Sequence, residues 1–330
     1  MSPLISVLIP VYNAADYLEA TLDSCLRQTF RDFEVIAVND GSTDRSACIL
    51  EEYARKDSRI RVMTQINQGA NAARKNTVEQ ARGEYVCFLD ADDLLVESAL
   101  QSLWIEIEKS GNDIIIGGFC FREKKNKSVF INRSPFGMGK IALFCSVLSE
   151  GGFLPSLCGK LIRRDLFIQM EWVENLSIGE DAAVIYQLLH QTDRVSFIEE
   201  VVYIYEQREN SVSHRLSPEA RNSIIRFCLW SGAFFEKQGY LKDLQFNNSY
   251  AESVLGAYYR FLREGGTPAD FPDFTNRINS YYLENEKACR CSPVWRISML
   301  KIYRYSPFIG RIFRSVFGSG RKIIKKIVYG

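Results

Sequence analysis

Three aspartates, Asp90, Asp92 and Asp93, follow directly on an apolar run, Tyr85-Val86-Cys87-Phe88-Leu89. Like charges crowded at one point repel, and enclosing them raises that cost unless a cation neutralises them. Hard carboxylate oxygens completed by substrate phosphates suit Mg²⁺ or Mn²⁺. A second use is open to the same residues, because aspartate is a good helix cap and a helical pattern begins near Val96. Further along, Glu180-Asp181 stands after Gly179 and ahead of the apolar stretch Ala182 to Leu189, where a capping role is again available. Glycine-rich phosphate cradles are missing: no Gly-X-Gly-X-X-Gly follows the first strand and no Gly-X4-Gly-Lys-Ser/Thr occurs. A bound diphosphate would therefore be handled by the aspartates and a divalent ion, which argues against a dehydrogenase or a P-loop kinase.

The elements that must position these groups alternate. Tyr85 to Leu89 is apolar without polar alternation and too short for a helix, so it reads as a strand buried on both faces. Leu4 to Pro10, Phe33 to Val38 and Ile60 to Met63 read as strands too. Between them run helical patterns, one through Leu18, Leu22, Cys25 and Leu26, one capped by Asp44 or Ser42, and one from about Gly69 to Ala81. That rhythm predicts an α/β domain with a mostly parallel, Rossmann-like sheet, whose ligands bind beyond the carboxyl ends of the strands. Pro10 to Asn13, Asp40 and Asp90 to Asp93 all lie at such ends. Later strands are expected at Ile114 to Phe121 and Val201 to Glu206, with a basic hairpin tip at Arg122 to Lys127.

The 330 residues are too many for one minimal domain, and 46% hydrophobic with 25% charged residues is a globular composition. The net charge of +1 is unevenly spread: eleven Lys or Arg and no acid lie in 287–330, which leaves −10 on the residues before. Nine cysteines scattered through the elements (Cys25, Cys48, Cys87, Cys120 and Cys145 among them) read as reduced core residues. Cys289-X-Cys291 lacks the partners of a zinc site. The start lacks the pattern of a signal peptide, and no window is apolar enough to span a membrane, so a cytoplasmic location is expected.

Four ordered motifs now carry a resemblance. Val-Leu-Ile-Pro-Val-Tyr-Asn (7–13), Val-Asn-Asp-Gly-Ser-Thr-Asp (38–44), Asn-Gln-Gly-Ala-Asn-Ala-Ala-Arg-Lys-Asn (67–76) and Gly-Glu-Tyr-Val-Cys-Phe-Leu-Asp-Ala-Asp-Asp (83–93) resemble family 2 glycosyltransferases, most closely over residues 4–100. The resemblance implies the GT-A fold and an inverting, metal-dependent transferase of hexosyl or N-acetylhexosaminyl groups, of the bacterial capsule and O-antigen type. It implies a nucleotide-sugar donor, expected to be a UDP-sugar, held at Pro10, Tyr12, Asn13, Asp40, Arg74, Asp90, Ala91 and Asp92. Asp92, ending Asp-X-Asp, would bind Mn²⁺ or Mg²⁺, with Asp90 and His214 as further ligands. An acceptor hydroxyl is a poor nucleophile until a carboxylate takes its proton; by the resemblance that base is Asp181, with Glu180 as the fallback. Cys158 to Phe167 resembles a segment in which a lysine, here Lys160, lies on the acceptor side. Tyr203-X-Tyr205, followed by Arg208 and Asn210-Ser211, resembles the family's end-of-domain segment, where Arg208, Ser211 and His214 would contact the diphosphate. Plainer readings stay open: Arg74 as a surface arginine, His214 as a loop histidine, His190 as structural.

Residues 1–215 are thus expected to form the catalytic domain and 216–290 a helical appendage. Residues 291–330 then form a basic amphipathic tail, where Phe308, Ile309, Ile312, Phe313, Val316 and Phe317 share a face with arginines off it. Such a segment suits an anionic membrane surface, and packing on its own domain is the alternative. Nucleic acid is excluded as a partner, since the main domain is acidic and shows no recognition motif. The whole suggests transfer of a sugar to a lipid-linked saccharide at the inner face of the cytoplasmic membrane. Two rivals are a metal-dependent nucleotidyltransferase, in which Gly179-Glu180-Asp181 has no task, and a non-catalytic membrane-associated scaffold, which has no use for Asp92 with Asp181.

Overall fold

The computed structural model describes residues 2–123, 126–132, 134–135, 139–149, 152–207 and 216–278. The tail at 291–330, the Cys289/Cys291 pair, the tip of the basic hairpin, and Arg208, Ser211 and His214 lie outside the described residues. The chain divides into two compact units, one made of residues 1–147, 151–174 and 180–214, the other of 148–150, 175–179 and 215 onward.

In chain order the elements are β1 (Ile5–Val11), α1 (Ala15–Leu26), β2 (Phe33–Asp40), α2 (Ser46–Lys56), β3 (Ile60–Gln65), α3 (Ala70–Gln80) and β4 (Tyr85–Phe88). There follow β5 (Leu94–Leu95), α4 (Ala99–Ser110), β6 (Ile114–Glu123), β7 (Asn126–Phe130), α5 (Lys140–Leu148), β8 (Lys160–Arg163), α6 (Glu180–Gln191) and β9 (Val195–Glu206). Helices α7 (Pro218–Lys237), α8 (Leu244–Arg263) and α9 (Pro272–Ile278) complete the chain as described.

One sheet runs β3-β2-β1-β4-β8-β6-β9-β5, with β7 on the free side of the β6 hairpin. The first four strands pair in parallel, as the βαβ rhythm requires, and β6 with β9 points the same way. β8 is wedged antiparallel between β4 and β6. The sheet is therefore mostly parallel with helices around it, as the sequence reading expects. Its core is supplied by the uninterrupted apolar strands: Val7, Leu8, Ile9, Val35, Ile36, Val86 and Cys87 have no exposed surface.

Two local expectations change. The aspartates after β4 do not cap a helix near Val96. Leu94 and Leu95 instead pair with Tyr203 and Ile204 of β9, and α4 starts only at Ala99. Among the described residues no cysteine is in a disulfide, but not all are core: Cys48 is exposed and Cys120 half-buried.

The second unit, taken by itself, is helical. Its core is aromatic, with Phe235 between Phe246 and Tyr250 at ring separations of 4.7 and 5.2 Å. Pro272 opens α9, where its missing N–H is harmless. Ser223 of α7 accepts the N–H groups of Ser177 and Ile178, so the short 175–179 segment belongs to this unit.

Candidate active site

The carboxyl ends of β1, β2 and β4 each deliver one expected group. At the β1 end Asn13 has a left-handed backbone, φ 48°, which asparagine tolerates better than most residues. Its Oδ1 accepts the Thr43 N–H at 2.8 Å, while its own N–H donates to Ser42 Oγ. Asp44 then accepts from Ala15 N and from Ser46 N, and Ser46 Oγ accepts from Ala14 N. One polar loop thus satisfies the open N–H groups at the starts of both α1 and α2. Tyr12 stays 53% exposed at the rim, and Pro10 is half-buried.

At the β2 end Asp40 is buried, yet its carboxylate is well supplied with donors. Oδ1 accepts from Gln65 Nε2 at 2.7 Å and from Gln68 N at 2.8 Å, and Oδ2 accepts from Gly69 N at 2.9 Å. Asp40 thereby fixes the loop that leads into α3. The turn beside it needs Gly41 at φ 68°, where an added Cβ would meet Asn67 N at 2.8 Å.

The aspartates after β4 divide by task. Asp93 is buried and structural: Oδ2 accepts from the Tyr203 hydroxyl at 2.7 Å and Oδ1 from Glu206 N at 2.9 Å. The same hydroxyl accepts from Asp90 N, so Tyr203 on β9 sets the backbone of the strand tip. The Ala91 carbonyl accepts from Thr21 Oγ1. Asp90 and Asp92 are half-buried, facing outward from this frame.

Arg74 joins the two ends of the site, and it is not a surface arginine. It is buried in α3, with Nη2 3.1 Å from Asp90 Oδ1 and Nη1 3.2 Å from Asp181 Oδ1 and 3.6 Å from Glu180 Oε1. Burial works against its charge, but Asp181 and Asp90 more than compensate and push its pKa above the ordinary value. The carboxylates outnumber it. Burial, then the charges of Asp181 and Asp92, raise Asp90 despite the pull of Arg74. Burial and Asp181 raise Glu180 in the same way. Arg74 Nε, Arg74 Nη1 and Asp181 Oδ1 are buried without a hydrogen-bond partner, although the latter two sit at ion-pair distance. Unsatisfied buried polar atoms of this kind are rare away from sites that receive a ligand or water.

Glu180 and Asp181 open α6, as expected. Asp181 Oδ2 accepts from Leu157 N at 3.1 Å and from Ser156 Oγ at 3.3 Å. Lys160, expected to face an acceptor, does not: it has no exposed surface, and its ammonium points inward to the carbonyls of Leu154 and Ser156. Cys158 lies close by, and burial and the charges of Asp90 and Asp181 push its thiol well up, away from the thiolate form. His190 lies in the last turn of α6, where its backbone carbonyl accepts from Lys140 Nζ. Sequence reading missed Tyr203, Ser156 and the Leu157 amide as parts of the site. Only Tyr203 carried a signal, as the first tyrosine of Tyr-X-Tyr.

The arrangement is a set of carboxylates at a strand tip and a helix start, gathered on one buried guanidinium at the carboxyl edge of a parallel sheet. Residues 6–169 match the profile of Glycosyl transferase family 2. The chain is 34% identical over 221 residues to "Uncharacterized glycosyltransferase EpsJ" of Bacillus subtilis (strain 168), a stretch covering 64% of each chain. It is 30% identical over 224 residues to "Glycosyltransferase GlyG" of Streptococcus pneumoniae serotype 4, covering 64% of this chain and 73% of that one. The match with EpsJ therefore spans just under two thirds of that relative's length. The fold matches S. aureus TarS 1-349, solved in complex with UDP-GlcNAc, with a TM-score of 0.67 at 21% identity over 98% of this chain and 92% of that one. The chain belongs to glycosyl transferase family 2, and its fold is GT-A with a C-terminal helical part.

Proposed function

We propose that this chain transfers a sugar from a nucleotide-sugar, most simply a UDP-sugar, to a hydroxyl of a lipid-linked saccharide, inverting the anomeric centre. The observation that carries this reading is the shared guanidinium. Arg74 brings the strand-tip carboxylate Asp90 and the helix-start carboxylate Asp181 to opposite ends of one group. A donor site and a proton acceptor are thereby within one small substrate's length of each other. Asp181 serves as the base: Oδ2 is anchored by Leu157 and Ser156, while Oδ1, 3.2 Å from Arg74 Nη1, makes no hydrogen bond and has a lone pair for the acceptor's proton. As that proton leaves, the hydroxyl oxygen bonds to C1 and the C1–O bond to the diphosphate breaks, its electron pair leaving with the diphosphate. One displacement inverts the centre. Glu180 lies beside Asp181 and shares the pull of Arg74.

The donor set fits a divalent cation. Asp92 and Asp90 offer hard oxygens where negative charge is in excess, and no cluster of three or more ligating side chains was found among the described residues. An ion here would need phosphate oxygens to complete its shell, and it would supply charge neutralisation to the departing diphosphate. Pro10, Tyr12, Asn13 and Asp40 line the same edge and are assigned to the base and ribose. TarS is a GT-A protein solved with UDP-GlcNAc, which supports UDP as the nucleotide.

Calorimetric titration of UDP, GDP and dTDP, with and without Mn²⁺, tests the donor half. Metal-dependent binding of UDP that is lost in Asp92→Ala is expected, and metal-independent binding or an unaffected variant would overturn the site. The expected location is the inner face of the cytoplasmic membrane, held there by the basic tail at 291–330, whose nine Lys or Arg and no acid suit anionic lipid. No helix among the described residues is long and apolar enough to cross a membrane. Removing residues 295–330 should reduce sedimentation with anionic vesicles at low salt; equal sedimentation would defeat the anchor.

A further inference from the structure

Asp181 sits on a regular element, but what aims its side chain is not regular. Oδ2 is held by the hydroxyl of Ser156 and the amide of Leu157. Both belong to residues 153–156 and their junction with β8, a stretch with no helix or strand of its own. Such a stretch has no ladder to fix it, so its backbone groups must find side chains. Buried Asn132 supplies one: its Oδ1 accepts from Leu154 N at 2.9 Å, and its Nδ2 donates to Gly117 O on β6 at 2.6 Å. Lys160 supplies the rest. Its Nζ donates to Leu154 O at 2.9 Å and to Ser156 O at 2.5 Å. Its own backbone is locked in the sheet, with Lys160 paired to Ile116. Ser156 Oγ also accepts from Cys158 N, which orients the hydroxyl.

A fully buried ammonium is expensive, and a packed apolar side chain would often serve stability better. Burial lowers this one to about 8, with Cys158 and Asp181 pulling the other way, so at neutral pH it remains mostly charged. Two convergent carbonyls are what three rotatable N–H groups satisfy. We propose that Lys160 is a positioning residue for the base: by clamping the Leu154 and Ser156 carbonyls it fixes the hydroxyl and amide that aim Asp181. The inference rests on the reading of Asp181 as the base. Lys160 touches no substrate in this scheme, and it acts through the stretch between Leu154 and Leu157.

The test is a double-mutant cycle on the full chain, measuring UDP release with water as acceptor from whichever of UDP-glucose, UDP-galactose, UDP-GlcNAc and UDP-GalNAc the wild type turns over fastest. Lys160→Met should lower kcat about 10²-fold, the scale of an ångström-sized misplacement, while KM and UDP affinity stay within about twofold. In an Asp181→Asn background the same change should cost less than about threefold, because groups acting as a unit are not additive. Lys160→Met that binds UDP and turns over at the wild-type rate would overturn the proposal. So would an equal loss in both backgrounds, which marks a general structural role. Asp181→Asn with unchanged turnover would instead overturn the assignment of the base, and this inference with it. Should Lys160→Met fail to fold, Ser156→Ala decides: about a tenfold loss that vanishes beside Asp181→Asn supports the clamp, and an equal loss in both backgrounds defeats it.

Discussion

Asp90 after β4 and Glu180 and Asp181 at the start of α6 meet on one guanidinium, yet the two ends are fixed by different means. Asp90 and Asp92 sit where a parallel strand runs out, and the backbone register of β1 with β4 does most of the placing. Asp93 is spent on holding that tip to β9 through Tyr203 and the Glu206 amide. Asp181 sits on a helix, but its orientation depends on a stretch of irregular chain held by two buried polar side chains, Asn132 and Lys160. The strand ends, proposed as the donor site, are robustly placed, because every ladder bond supports them. The proposed base, aimed by a clamp, can be re-aimed by changing a few contacts while the strand tip stays as it was.

The largest expected effect breaks the comparison by removing what the two ends share. Arg74→Met leaves Asp90, Glu180 and Asp181 without their buried counter-charge, and urea unfolding should show a loss of about 3–5 kcal/mol. A loss below about 1 kcal/mol would mean that the two ends are held independently. Next comes a change confined to the strand tip. Tyr203→Phe removes the donor to buried Asp93 and should cost about 1–3 kcal/mol. It should also weaken metal-dependent nucleotide binding, since Asp90 N loses its partner, and an unaltered affinity would show that Asp93 alone sets the tip.

The smallest effect sharpens the helix end. Glu180 has its pKa raised in the folded chain, by burial and by Asp181, so the folded state holds its proton more tightly than the unfolded one. The ionised form then opposes folding once the pH exceeds the ordinary carboxylate range. Glu180→Gln should melt about 1–2 °C higher at neutral pH. Its advantage should vanish in acid, where both forms are neutral, grow as pH rises, and level off above the raised pKa. A melting point that falls at neutral pH would show that the pairing with Arg74 outweighs the repulsion.

These differences also decide what was legible in the sequence. β1, β2 and β4 declare themselves because unbroken apolar runs have no other stable place than inside a sheet, and the polar residues ending them mark the cleft. The parallel order follows from the alternation of strand and helix. The two residues of β5 were illegible, since Leu94 and Leu95 are a strand only because β9, a hundred residues later, offers Tyr203 and Ile204 as partners. Without that pairing a cap near Val96 is the better local reading. Lys160 misled for a related reason. A lysine is ordinarily exposed, and nothing local shows that two carbonyls from an irregular stretch will converge on its ammonium. Arg74 was legible as part of a motif, but its burial among three carboxylates depends on α3, β4 and α6 together.

Asp40 has a consequence for hydrogen exchange. The amides of Gln68 and Gly69 lie outside any ladder, yet both are donated to its buried carboxylate. Their protons should therefore exchange slowly for a loop. Ligands ordinarily slow exchange wherever they touch a protein. On the proposed reading a nucleobase drawing on the Asp40 oxygens would compete with the loop for the same acceptor, so the Gln68 and Gly69 amides should exchange faster in the complex than in the free chain.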